Sequence, residues 1–231
     1  MNFLKKSLII TIFSLAINTM VHADNIDLQT LTEQAEQGDA VAQYNLGIMY
    51  HNGAGVAQNY TKAIELLNQA ADQGLMQAQY DLGYMYVQNL ENVPMNYEKA
   101  AAWFTKAANQ GSARAQYGLG LLYRNGQGVT QDYTKAVELY ILAANQGLAE
   151  AQNNLSIMYG RGLGVPQSNS KAKEWLSRAA ENGSASAQYN IAKMYHDGTD
   201  GFPRNLNEAK KWYKKSADNG NVLAKKALEN M

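Results

Sequence analysis

The sequence predicts an all-α fold, a right-handed α-solenoid of about twelve antiparallel helices. Three observations predict it. A segment starting at Gly38 recurs at Gly74, Gly111, Gly147 and Gly183, with spacings of 36, 37, 36 and 36 residues. Within each recurrence, apolar residues fall at helical spacing, and glycines stand where helices would end. A unit of this length cannot bury its apolar face alone, so neighbouring units must stack on one another.

Each unit divides into two helical stretches. In the first, Ala42, Leu46, Gly47 and Tyr50 lie at i, i+4, i+5 and i+8, one face of a helix whose small residues admit a close neighbour. The pair Ala42-Gln43 returns as Ala78-Gln79, Ala115-Gln116, Ala151-Gln152 and Ala187-Gln188, and Tyr50 returns as Tyr86, Tyr123, Tyr159 and Tyr195. A loop follows, with two glycines before a valine in units one, three and four, for example Gly126 and Gly128 before Val129. These positions predict positive φ in a recurring turn; no Lys-Ser or Lys-Thr follows to make a phosphate cradle. The second stretch begins near Lys62-Ala63, Lys99-Ala100, Lys135-Ala136, Lys171-Ala172 and Glu208-Ala209, and it ends at the next unit's glycine, a helix C-cap. The extra residues of units two and five fall in the loops before Ala100 and Ala209. Residues 25–37 resemble a second helix without its first, and residues 220–231 a truncated sixth unit, in which Lys225 and Lys226 replace Gln and Tyr. One domain over residues 24–231 is expected, opening on the half unit and closing on the cap.

The N-terminus reads differently. Lys5 and Lys6 precede an apolar run over residues 8–17, and Val21-His22-Ala23 follows, the pattern of a secretory signal peptide over residues 1–23 cut after Ala23. An uncleaved N-terminal anchor is the alternative, disfavoured by Asn18 and Thr19. Export predicts a periplasmic or secreted mature chain, without membrane insertion after cleavage. Composition narrows its chemistry. The 20 basic and 20 acidic residues balance, leaving −2 once residues 1–23 are removed, so no net field attracts nucleic acid. The absence of Cys excludes disulfides, thiolate metal sites and cysteine nucleophiles. Residues 193–231 depart from the average at net +3, the character of a solvated capping helix or of a binding patch.

The motif Ala-x-Ala-Gln-Tyr-x-Leu-Gly-x-x-Tyr-x-x-Gly-x-Gly-Val, followed by Lys-Ala and Ala-Ala-x-x-Gly, resembles the Sel1-like repeat, a relative of the tetratricopeptide repeat. Unit three matches it most completely, from Ala113 to Gly147. Unit two replaces the glycine loop with residues 87–94, unit four has Asn153 for Tyr and Ser156 for Gly, and unit five has Ile191-Ala192 for Leu-Gly. The resemblance implies a non-enzymatic adaptor. Exported members resemble envelope scaffolds or immunity proteins against secreted phospholipase-type toxins, whereas a cysteine-rich branch resembles penicillin-binding proteins in activity.

That branch makes a serine hydrolase or acylase the alternative function. One Ser-x-x-Lys occurs, Ser168-Asn169-Ser170-Lys171, but the Ser-Asp-Asn and Lys-Thr-Gly elements that complete such a site are missing, and Lys171 is the recurrent Lys of Lys-Ala. No catalytic residue, cofactor or metal site is therefore expected. His51 and His196 stand in units one and five, too far apart in a stacked array to share a metal. Met49, Met85, Met158 and Met194 share a repeat position with Leu122 and read as core.

The first helices are expected to line a concave groove that holds a protein partner, an envelope protein or a secreted effector. Helical offsets outside the apolar stripe select Tyr44 and His51 in unit one, Tyr80 and Tyr84 in unit two, and Arg114, Tyr117 and Arg124 in unit three. Asn153 and Arg161 continue the row in unit four, then Tyr189, Lys193 and His196 in unit five. Tyr and Arg are enriched among the anchors of protein interfaces. The alternative is that Tyr44, Tyr80, Tyr117 and Tyr189 pack between repeats.

Overall fold

A computed structural model describes residues 28–231. The signal-peptide reading of residues 1–23, and the first residues of the opening half unit, lie outside the described residues. Among these there are twelve helices and no strand: α1 (Leu28–Glu36), α2 (Ala40–Asn52), α3 (Tyr60–Asp72), α4 (Met76–Tyr86), α5 (Tyr97–Asn109), α6 (Ala113–Asn125), α7 (Tyr133–Asn145), α8 (Ala149–Arg161), α9 (Asn169–Glu181), α10 (Ala185–Asp197), α11 (Leu206–Asp218) and α12 (Val222–Glu229). The chain is an all-α repeat solenoid, as its periodicity predicts. Its contacts divide into two compact blocks, one ending at Gln73 and the other Gly74–Met231. No described helix is long and apolar enough to cross a membrane.

In the first block, α1 packs on α2 through Leu31, Ala35, Ala42 and Leu46, and α3 contributes the buried Ala63, Leu67, Ala70 and Ala71. The second block repeats this pairing four times. Its core in repeat three gathers Ala136, Tyr140, Ala143 and Ala144 of α7 with Ala151, Leu155 and Met158 of α8. Met85, Met158 and Leu122, at one repeat position, are all buried, which supports their reading as core. Gly120 of α6 is what lets Tyr140 lie fully buried, since a Cβ there would come within 2.9 Å of two ring carbons.

Helix starts are specified by a signal that periodicity does not carry. Asn59, Asn96, Asp132, Ser168 and Asn205 occupy one repeat position, and each accepts from the backbone N–H three residues on, capping the second helix. The cap residue's own N–H donates to the carbonyl of the recurrent tyrosine, as in Asp132 to Tyr123 at 2.9 Å. Over that ring lies the Lys of Lys-Ala: Lys62 over Tyr50, Lys99 over Tyr86, Lys135 over Tyr123 and Lys171 over Tyr159, at 4.5 to 5.2 Å.

The loops between paired helices meet at the same point by different routes. In repeat three Gly126 and Gly128 take φ of 66° and 67°, and Gly128 runs so close to the backbone of Tyr97 and Glu98 that a Cβ would collide with it. Repeat two, which lacks the glycines, closes its loop with a Leu90 to Val93 bridge and a left-handed Asn92. Even so, Asn96 N–H reaches the Tyr86 carbonyl at 2.8 Å. In repeat five the longer loop buries Phe202 edge-on against Tyr195, and Asn205 N–H again reaches Tyr195 at 2.8 Å.

The recurrent glutamine joins one helix pair to the next. Gln116 Nε2 donates to the Ala108 carbonyl at the end of α5, while its Oε1 accepts from Gln146 at the end of α7, 2.8 Å away. Gln146 Nε2 also donates to the Gly111 carbonyl. Gln152, with Asn182, and Gln188, with Asn219, repeat the pattern. In the first block Gln43 donates to Ala35 O and accepts from Gln73. These glutamines are buried, and each donates to a carbonyl at the end of the preceding second helix that also accepts the N–H of the capping glycine.

Candidate functional site

The first helices of the second block carry most of the row selected from sequence. Its tyrosines are half-buried, with their rings on the aromatic residue of their own repeat's second helix. Tyr80 lies 5.9 Å from Phe104, Tyr117 5.8 Å from Tyr140 and Tyr189 5.6 Å from Tyr213. Tyr84 stacks on Tyr80 at 6.2 Å. Each ring therefore helps to hold its helix pair together and offers its outer edge to whatever approaches.

At the centre, three side chains on two adjacent first helices form one cluster. Asn154 Nδ2 on α8 donates to the Tyr117 hydroxyl on α6 at 3.3 Å, and Arg124 Nη1 on α6 donates to Asn154 Oδ1 at 3.4 Å. Arg124 Nε is held by Asn125 Oδ1 at 3.1 Å, so the guanidinium is fixed in direction. Burial, and behind it the Glu150 carboxylate, push the Tyr117 hydroxyl up from its usual range, against the pull of Arg124. Tyr80 and Tyr84 are raised as well, first by burial and then by Asp81. These phenols stay neutral near pH 7, able to donate and accept hydrogen bonds. Arg114, Glu150, Arg161 and Lys193 are exposed around them.

The other selected residues have separate surroundings. Asn153 is half-buried, and its Oδ1 has no hydrogen-bond partner; it is the neighbouring Asn154 that links Tyr117 with Arg124. His196 ends α10 with Nδ1 3.3 Å from Asp197 Oδ1 and its ring 6.5 Å from Tyr213. In the first block Tyr44 is half-buried, and His51 is buried edge-on to Tyr60 at 5.3 Å. Among the described residues no three His, Asp or Glu side chains are grouped to hold a metal. Ser168 Oγ is spent as the N-cap of α9, and Lys171 lies over Tyr159.

Asp81 and Asn154 escaped the selection because their repeat position faces the interior, where both are buried. The signal was present: the residue after the row tyrosine reads Asn45, Asp81, Gly118, Asn154 and Asn190, polar in four repeats of five at a position that apolar periodicity would fill with a hydrophobe.

Burial of His51 carries a pH consequence. Desolvation lowers its pKa below 6.5, against a smaller raising effect of its hydrogen bond with Asn52. The fold thus favours the neutral ring. That contribution is complete above about pH 6.5 and is lost as the pH falls through the lowered value. The thermal midpoint of residues 24–231 should fall between about pH 7 and pH 5 by a component absent from His51→Gln, a difference measurable by calorimetry.

The family model for the Sel1 repeat matches five segments, residues 40–75, 77–112, 113–148, 149–184 and 185–221. No curated protein matches the chain. Among solved structures, a Sel1 repeat protein from Oxalobacter formigenes superposes with a TM-score of 0.83 at 36% identity, over 88% of this chain and 59% of its own. A protective antigen present in uropathogenic Escherichia coli strains superposes with a TM-score of 0.80 at 38% identity, over 90% of this chain and 44% of its own. The chain thus spans about half the length of these relatives. An immunity protein from Pseudomonas aeruginosa shares the fold alone, with a TM-score of 0.55 at 22% identity over 83% of this chain and 72% of its own. With the matched segments covering most of residues 40–221, the chain belongs to the Sel1 repeat family.

Proposed function

We propose that the mature protein is a non-enzymatic periplasmic scaffold that grips a protein partner with the first-helix face of repeats two to four. The observation that carries this reading is the cluster of Tyr117, Asn154 and Arg124. It combines a half-buried aromatic with a guanidinium held in one direction by two side-chain hydrogen bonds, rimmed by exposed Arg114 and Glu150. Preorganised Tyr and Arg lose little entropy on binding and dominate the energetics of many interfaces. Ser168 and Lys171 hold the same capping and ring-covering places as their counterparts in other repeats, which supports a scaffold over a serine hydrolase. The finer reading is immunity, neutralisation of a secreted phospholipase-type effector. It draws on the resemblance of exported Sel1-like proteins to such factors and on the fold shared with immunity proteins of Pseudomonas aeruginosa.

Affinity capture with residues 24–231 from an envelope extract identifies the partner, and calorimetric titration then tests the face. Arg124→Ala is expected to weaken binding by about 1 to 4 kcal/mol with helicity unchanged, whereas Ser168→Ala leaves affinity as it was. Wild-type affinity in a folded Arg124→Ala variant would remove the central cluster from the interface. A captured lipase-like effector whose activity the protein abolishes supports immunity; an envelope assembly factor supports the plain scaffold. Intact mass of periplasmic protein beginning at Asp24 tests the export step.

A further inference from the structure

The charge that the whole sequence balances is gathered locally on one helix. α11 buries Ala209, Tyr213, Ser216 and Ala217, and the Ser216 hydroxyl fixes that face by donating to the Ala185 carbonyl at 2.6 Å. The rest of its circumference carries Lys210, Lys211, Lys214 and Lys215, all exposed, together with Glu208 and Asp218, which leaves the helix at net +2. Lys211 is 3.5 Å from Glu208, and Lys215 lies over the half-buried Trp212 ring at 4.5 Å. Apolar surface accompanies the lysines. Leu206 at the start of α11 is 44% exposed, and Val222 and Leu223 of α12, which packs against α11, are 66% and 59% exposed. With Met231 these are four of the seven large apolar side chains exposed among the described residues.

We propose that this lysine face of α11 docks the protein peripherally on an anionic phospholipid surface. The choice of lipid over protein rests on residue type. Every cation on α11 and α12 is Lys, a flexible point charge that does not fix a partner's geometry, and Lys is depleted at protein interfaces, where Arg and Tyr are favoured. The first-helix face shows the opposite choice, with Arg114, Arg124 and tyrosines. Mobile lysines with short exposed aliphatic side chains and a Trp beneath them suit laterally mobile phosphate headgroups over a shallow apolar layer, where each basic residue adds to surface attraction. These lysines stand on the last of the second helices, whereas the proposed partner-binding residues stand on the first helices of repeats two to four.

The test is partition of residues 24–231 onto vesicles of phosphatidylcholine alone or with about 30% phosphatidylglycerol. Binding to the anionic vesicles should exceed that to neutral ones by about tenfold or more and weaken as salt rises. The triple variant Lys210→Gln, Lys211→Gln, Lys214→Gln, which touches no buried residue, should lose about tenfold or more of that binding with an unchanged circular dichroism spectrum and midpoint. Leu206→Ser should weaken it further. Equal partition to both vesicles, partition to neither, or full retention in the folded triple variant would overturn the proposal. Preference for soluble polyglutamate over anionic vesicles at equal charge would overturn it too, by assigning the patch to an acidic polypeptide.

Discussion

Tyr140→Ala is expected to cost about 3 to 5 kcal/mol of stability, the range for truncating a fully buried aromatic, and to lower the thermal midpoint by several degrees or more. Tyr140 is completely buried. Its ring fills the space that Gly120 leaves open on α6 and supports the Tyr117 ring from beneath. Its loss opens a cavity that its neighbours, themselves packed on the next repeat through Leu155 and Met158, can collapse into only in part. The effect reaches function. Without Tyr140 the Tyr117 ring loses its floor, and the bond from Asn154 to its hydroxyl loses its fixed acceptor. A denaturation midpoint shifted by less than the equivalent of about 1 kcal/mol would mean that repeat three repacks freely. In that case Tyr117 would have no rigid platform on which to act as an anchor.

The second large effect is expected at Gly128→Ala. Two costs add there. The residue holds φ of 67°, which costs an L-residue about 1 to 2 kcal/mol, and the new Cβ would strike the backbone of Tyr97 and Glu98, which cannot rotate aside as a side chain could. A total of about 2 to 5 kcal/mol follows. Gly111→Ala separates the two terms, because Gly111 has φ of 93° but nothing within 4 Å of its Cβ position, so it should show the backbone cost alone. Equal melting midpoints for the two variants would show that α5 moves aside from the loop and that the close approach does not constrain this joint.

These two residues illustrate how far the sequence could be read. The need for positive φ at Gly128 was legible, because two glycines before a valine recur in three repeats. Its closeness to Tyr97 was not, since that contact joins consecutive repeats. Helix number, their pairing and the core positions of Met85, Leu122 and Met158 followed from period and spacing, which are local properties. The tyrosine row was legible as a row, but the sequence left open whether its rings pack or bind; in the structure Tyr80, Tyr117 and Tyr189 each rest on an aromatic of the second helix and keep one edge outward. Asn154 and Asp81 were missed because buried polar residues make sense only once their partners are known, and Asn154 finds its partners 30 and 37 residues earlier. The same limit applied to Gln116: its recurrence was plain, while the bonds that require it run from the end of α5 to the end of α7.

That glutamine has an evolutionary consequence. Gln116 donates a hydrogen bond to the helix end before it and accepts one from the helix end after it, and Gln152 and Gln188 do the same, with Asn182 and Asn219 as donors in the place of Gln146. Every such joint has the same plug and the same socket. A gene duplication that copies a whole cassette inserts a plug and a socket together and leaves no buried glutamine amide without its partners at either seam. Units two and five, one residue longer, keep the pairing because the extra residue falls in the loop between the paired helices. Lineages carrying this module can therefore lengthen or shorten the array in whole steps without inventing a new interface, and the solved Sel1-type relatives, of which this chain covers 44% and 59%, are longer than it is.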